Sequence, residues 1–164
     1  MKIIMIILAV CVLLVIQSAL IPYIRILNAG PDLLLLGVIF WSSGKKRWQG
    51  ALMGFFCGLL QDLTIGDIAG IFAFTKTLAG YTAAWIPWRP DEGSTFMVGL
   101  VLFSAGFMHH FPLYLFSTIE SAGGFGLLFL RYGIVSLLYT VVLGMVLYTA
   151  WNGAVRLLHR DGRD

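Results

Sequence analysis

The sequence has 164 residues, of which 59% are hydrophobic and 12% are charged, and its mean hydropathy is +0.90. A water-soluble domain carries about 25% charged residues, so this composition excludes an ordinary soluble protein and predicts an all-α polytopic integral membrane protein. The net charge of +3 is small and confined to short turns, which argues against nucleic-acid binding. We expect one transmembrane helical-bundle domain over residues 1–164.

Apolar runs predict six membrane spans. A bilayer core of about 30 Å requires about 20 apolar helical residues, and the candidate runs cover residues 3–21, 31–47, 48–63, 68–86, 95–119 and 127–151. The first run is too long for a signal-peptide core and no A-x-A cleavage site follows it, so we interpret it as a retained span. Cys11 and Cys57 lie inside apolar runs and indicate neither a disulfide nor a metal site.

The second span is the shortest of the six. Pro31 suits a first helical position, and a helix over residues 31–47 would rise about 25 Å; a re-entrant hairpin is the alternative. Basic residues favour a crossing helix with both chain ends inside, because cytoplasmic loops are rich in Lys and Arg. In that arrangement the cytoplasmic side receives Lys2, the basic turn 45–47, Arg89, Arg156, Arg160 and Arg163. Near the predicted span ends lie Tyr23, Trp41, Trp48, Trp85, Trp88 and Trp151, as in an interfacial aromatic belt.

The third span carries a glycine row. Gly50, Gly54 and Gly58 form two overlapping GxxxG units, and residues four apart lie on one helical face. Such a face allows close backbone packing, either against another helix of this chain or against a partner's transmembrane helix. Asp62 continues the row, so its carboxylate should project from the same face.

The fourth span places a lysine in the membrane. Lys76 lies about 13 Å into the bilayer from residue 67, and a charge at that depth usually faces protein and has a partner. Because a short turn makes the third and fourth spans antiparallel neighbours, we expect an Asp62–Lys76 pair that fixes helix register. A proton or substrate site, or snorkelling of either group to the interface without pairing, is the alternative. The face that carries Lys76 is otherwise formed by small residues, namely Ala69, Ala73, Gly80 and Ala84.

His109 and His110 lie within the fifth span, close to Pro112. Adjacent helical residues diverge by about 100°, so we expect one histidine to face the bundle, with Pro112 marking a kink, and no shared metal ion. In the last span, Arg131 should either snorkel outward or pair with Glu120. The same span carries a small polar seam formed by Gly133, Ser136, Thr140 and Gly144.

Catalytic motifs are missing from the sequence. It contains no G-x-S-x-G, H-E-x-x-H or Walker loop, so we expect no enzyme activity, catalytic residue, metal or cofactor. Two functional hypotheses remain, a membrane scaffold and a small-molecule-binding transporter subunit. The second predicts a polar cavity lined by Asp32, Asp62, Lys76 and His109.

Residues 28–85 resemble the MreD family of rod shape-determining proteins. The resemblance is carried by the order of several short motifs rather than by any one of them. They are Pro31-Asp32 before an apolar run, Phe40-Trp41 near its end, the glycine-spaced helix that ends in Asp62-Leu63, the turn from Gly66 to Gly70, and Gly80-Tyr81. Lys76, His109 and His110 are not part of this motif set.

The resemblance implies a non-enzymatic scaffold, multi-pass in the bacterial inner membrane, that helps to determine cell shape in the elongation (rod) complex. It implies binding to an MreC-like single-span protein through transmembrane helices and, indirectly, to the MreB filament. RodA and a class B penicillin-binding protein would be neighbours, and membrane lipid would surround the chain. The alternative is the small-molecule-binding membrane subunit of an ECF-type transporter, to which the family's helical arrangement is similar.

Overall fold

The structure is a computed structural model that describes residues 2–20, 23–24, 30–65, 70–88, 94–120 and 125–160. In these ranges every regular element is helical, which confirms the all-α class. The helices are α1 (Lys2–Leu20), α2 (Leu33–Ser42), α3 (Arg47–Ile65), α4 (Ile71–Trp85), α5 (Thr95–Glu120), α6 (Phe125–Leu128) and α7 (Ile134–Arg160). A π-helical turn, Phe129–Gly133, joins α6 to α7.

Among the residues that the structure describes, two stretches are long and apolar enough to cross a membrane, Thr95–Ser117 with 23 residues and Phe125–Ala154 with 30 residues. The shorter stretches Ile4–Ala19 and Leu33–Ser42 are also apolar. Large hydrophobic side chains cover the outside of α1 and α3, where Leu8 is 65% exposed and Phe56 is 58% exposed. An apolar exterior of this extent is unusual for a soluble monomer and fits a membrane protein.

Helix α2 is shorter than the predicted helix over residues 31–47. It has 10 residues and rises about 15 Å, half of a bilayer core of about 30 Å. It ends because Ser43 is extended and Gly44 adopts a φ of 76°, in the left-handed region that glycine tolerates best. The chain then reverses and α3 begins at Arg47.

The short helix α2 lies at the centre of the bundle. It contacts α1, α3, α4, α5 and α7, and Leu35, Val38 and Ile39 are fully buried. By contrast, α1 packs mainly on α2. Because neighbouring helices cover most of α2, its length need not match the bilayer.

All five tryptophans lie at one end of the bundle, which we call the tryptophan end (Trp41, Trp48, Trp85, Trp88 and Trp151). Trp41 and Trp48 flank the α2–α3 turn, and Trp85 and Trp88 lie at the end of α4. The Trp88 ring lies 6.4 Å from Phe40 of α2 and 5.7 Å from Tyr148 of α7, centroid to centroid. Trp151 follows one turn after Tyr148.

Candidate functional site: a buried charge centre

The N-terminus of α2 lies inside the bundle, where its free N–H groups need acceptors because they are buried. Asp32 is the N-cap, and its Oδ1 accepts the Leu35 N–H at 2.8 Å. The Leu34 N–H is accepted by Gln17 Oε1 of α1 at 2.9 Å. The Leu36 N–H is accepted by the Asp32 carbonyl at 3.1 Å. Each of these N–H groups is therefore satisfied without solvent.

The other oxygen of the same carboxylate, Asp32 Oδ2, forms an ion pair with Lys76 Nζ of α4. Lys76 is fully buried and Asp32 is only 7% exposed. His109 Nε2 of α5 lies 3.4 Å from the same Oδ2, and the Phe72 ring lies 5.9 Å from the ammonium group. We call Asp32, Lys76 and His109 the charge centre; it joins α2, α4 and α5.

The predicted Asp62–Lys76 pair is therefore wrong, because Lys76 binds Asp32 and Asp62 has other partners. The Asp62 carboxylate accepts the N–H groups of Phe72 at 3.0 Å and Ala73 at 2.9 Å. The N-cap of α4 is Gly70, which has a φ of 89° and no side chain to cap the helix. Asp62 supplies the missing cap from α3, and its negative charge faces the positive end of the α4 dipole.

The glycine row of α3 packs against α4 of the same chain. A methyl group added at Gly54 would overlap the Lys76 carbonyl, and one added at Gly50 would overlap the Gly80 carbonyl. At Gly58 the obstructing atoms belong to Phe72 and Ala73. The sequence leaves open whether the glycine row packs against this chain or against a partner's helix. In the structure it packs against this chain, because α4 fills the groove.

The polar seam of α7 holds the chain just before α2. Thr140 Oγ1 accepts the Asp32 N–H at 3.2 Å, and Ser136 Oγ donates to the Gly30 carbonyl at 2.6 Å. Gly144 lies against Leu36 of α2 and Leu102 of α5, while Gly133 lies against Phe129 and Tyr114. The seam therefore positions Asp32 from a fourth helix.

Both histidines face the interior, so the expectation of one inward histidine is wrong. His109 is 1% exposed and His110 is 3% exposed, and their ring centroids are 4.9 Å apart. Within the described residues, His109 Nδ1 and both His110 nitrogens lack a hydrogen-bond partner. Over the same residues no three His, Cys, Asp or Glu side chains are arranged to hold a metal ion. Helix α5 continues through Pro112.

Most other residues singled out in the sequence lie apart from the charge centre. Pro31 is buried directly before it, Trp41 is half-buried under the Lys45 ammonium at 5.9 Å, and Tyr81 is 42% exposed. Arg131 is exposed beside the Tyr132 ring. Gly66, Ala69 and the side chain of Glu120 lie outside the described residues. Cys11 and Cys57 are both free thiols.

The chemistry of the charge centre is that of a closed ion pair. The carboxylate of Asp32 accepts from Lys76 and from Leu35, and His109 lies close by. Removing one member of a buried pair leaves an uncompensated charge, which is strongly destabilising. The arrangement therefore fixes how α2, α4 and α5 fit together.

Comparison with known proteins gives one match. The family model described as rod shape-determining protein MreD matches residues 1–148. No curated protein and no solved structure matches the chain.

Proposed function

The chain belongs to the MreD family of rod shape-determining proteins, and we propose that it acts as a non-enzymatic scaffold of the bacterial cell-wall elongation complex. Membership of this family implies a role in determining rod cell shape, and it implies a location in a membrane. The proposal adds that the chain sits multi-pass in the inner membrane and binds an MreC-like single-span protein through helix contacts. Through that partner it would join the MreB filament, with RodA and a class B penicillin-binding protein as neighbours.

The main support for the proposal is that ionised side chains inside the bundle bind other groups of the same chain. Asp32 and Lys76 bind each other, and Asp62 caps α4. Within the described residues these ionised groups are thus committed to the chain's own packing, while the outer faces of α1 and α3 are apolar. A protein built this way offers other membrane proteins a fixed shape to pack against.

We further propose six spans with both chain ends in the cytoplasm. The basic turn 45–47 lies at the tryptophan end, and both features fit the cytoplasmic membrane interface. Helix α2 serves as a half-length span, tolerated because its backbone is shielded by protein. A reporter fused after Glu120 that proved cytoplasmic would contradict this topology.

For the partner's helix we propose the outer groove between α1, α2 and α3. Its cavity of about 290 Å³ is lined mainly by apolar side chains, and the exposed Ala9 of α1 leaves room for close approach. The glycine row of α3 is already filled by α4, so it is not free for this contact. Small residues at an outer face favour helix–helix contact in membranes.

The transporter-subunit hypothesis loses part of its support. It requires Asp32, Asp62, Lys76 and His109 to line one polar cavity. The Asp62 oxygens are instead engaged by backbone N–H groups of α4, and Asp32 is engaged by Lys76.

Depletion in a rod-shaped host tests the proposal. We expect cells to round up on depletion and the full chain to restore rods and to co-purify an MreC-like protein. A nutrient auxotrophy with retained rod shape, or recovery of a bound vitamin and a pair of ATPases, would support the transporter subunit instead.

Cysteine cross-linking tests the groove. In a Cys11→Ser/Cys57→Ala background, which removes both native thiols, Ala9→Cys should form a disulfide with a cysteine placed in the partner's helix. Val142→Cys, on the exposed side of α7, is the matched control and should not. Equal cross-linking at both positions would rule out the groove as the specific contact.

A further inference from the structure

A basic pocket lies at the tryptophan end, away from the charge centre. Its cavity of about 530 Å³ is lined on one side by residues 44–47 and on the other by residues 84–88. Lys45, Lys46 and Arg47 are exposed and line it. The described lining includes three basic side chains and no acidic one.

Aromatic rings hold two of these cations in place. The Arg47 guanidinium lies 5.6 Å from the centroid of the Trp85 ring, and Lys45 Nζ lies 5.9 Å from that of Trp41. Across the described ranges no carboxylate pairs with Lys45, Lys46 or Arg47. These rings therefore orient the positive charges.

One of the residues that line the pocket carries a buried donor without an acceptor in the described ranges. Trp88 is 5% exposed and lines the cavity. Its indole Nε1–H has no acceptor among the residues that the structure describes, although buried N–H groups are normally paired. A phosphate oxygen would supply both the acceptor and the negative charge.

The position of the pocket indicates which kind of molecule carries that phosphate. It lies where α2 and α4 end and α3 begins, beside the exposed rings of Trp48 and Trp85. Tryptophan is enriched at the headgroup level of membranes, and basic pockets between transmembrane helices bind anionic head groups. We propose that this pocket binds the phosphate of an anionic phospholipid.

Native mass spectrometry of the full-length protein tests the proposal. Phosphatidylglycerol and phosphatidylcholine with the same acyl chains are added in a mild detergent, and the bound fraction of each is compared. We expect the anionic lipid to be retained preferentially. The double variant Lys46→Gln/Arg47→Gln should weaken its binding about 30-fold, since each basic residue near an anionic surface contributes several-fold.

Trp88→Phe keeps a ring but removes the donor, and should weaken binding about three- to tenfold. If Trp88→Phe fails to fold, the double variant Lys46→Gln/Arg47→Gln, at exposed positions, still tests the proposal. Arg131→Gln, at an exposed arginine outside the pocket, is the matched control and should bind as the wild type does.

Three outcomes would overturn the proposal. They are equal retention of the neutral lipid, an equal loss in Arg131→Gln, and saturation of the pocket by inorganic phosphate with no lipid selectivity. None of these outcomes depends on the scaffold function, because no protein partner enters the experiment.

Discussion

Helix α4 packs in two different ways on its two sides. Towards α3 it meets Gly50, Gly54 and Gly58 with almost no side chain between the backbones. Towards α2 and α5 it extends Lys76, the largest fully buried side chain among the described residues, to a carboxylate. The interface with α3 therefore depends on the absence of side-chain volume, whereas the interface with α2 and α5 depends on a pair of opposite charges.

The difference predicts different sensitivities on the two sides. The glycine interface should fail when any atom is added, whatever its polarity, because backbone atoms cannot move aside as side chains can. The charge centre should tolerate changes of shape but not the loss of one charge. Substitutions on each side of α4 should therefore show which of the two properties, volume or charge, determines the stability of that interface.

Lys76→Met should have the largest effect. It keeps an unbranched chain of similar length but leaves the Asp32 carboxylate buried without its cation, which costs about 3–5 kcal/mol. Unfolding in mixed detergent micelles measures the loss. Lys46→Met, at an exposed lysine, is the control; an equal loss there would mean that the buried pair is not the cause.

Gly54→Ala should follow, because its methyl group would overlap the Lys76 carbonyl and force α3 and α4 apart. Overpacking of this kind costs about 1–3 kcal/mol. Gly99→Ala in α5 meets only Met145 at ordinary contact distance and should be neutral or slightly stabilising. Similar unfolding curves for the two variants would contradict close packing of α3 on α4.

Asp62→Ala should cost about 1–2 kcal/mol, since it removes the cap from the Phe72 and Ala73 N–H groups. Hydrogen exchange should speed up at the first turn of α4 and leave the α2 N-terminus unchanged. Exchange that rises at α2 instead would place Asp62 in the charge centre after all.

Thr140→Val should have the smallest effect, about 0.5–1.5 kcal/mol, through loss of the acceptor for the Asp32 N–H. The shape is nearly kept, so packing contributes little. Thr149→Val, at an exposed threonine of the same helix, is the control. A larger loss at residue 149 would mean that α7 does not position Asp32.

The sequence predicts local features of this bundle well. The 3.6-residue period placed Asp62 on the glycine face of α3, and the structure has it facing α4, as that period requires. The small-residue face of α4 likewise meets α3, through Ala73 and Gly80. Such patterns depend only on one helix at a time.

Contacts between distant segments were not predictable in the same way. The short turn between α3 and α4 favours Asp62 as the partner of Lys76, but its partner in the structure, Asp32, lies 44 positions away in the sequence. A long lysine side chain reaches around its helix, so the face of its Cα does not fix its partner. One signal is present in the sequence: Asp32 stands directly before an apolar run, as a helix N-cap does.

A double-mutant cycle on Asp32→Asn and Lys76→Met tests the central claim most directly, with Asp62→Asn and Lys76→Met as the parallel cycle. Free energies of unfolding in mixed micelles should show a coupling of about 0.5–3 kcal/mol for Asp32 and Lys76, as expected for residues in contact. The Asp62 cycle should be close to additive. Strong coupling in the Asp62 cycle with additivity in the Asp32 cycle would contradict the charge centre described here.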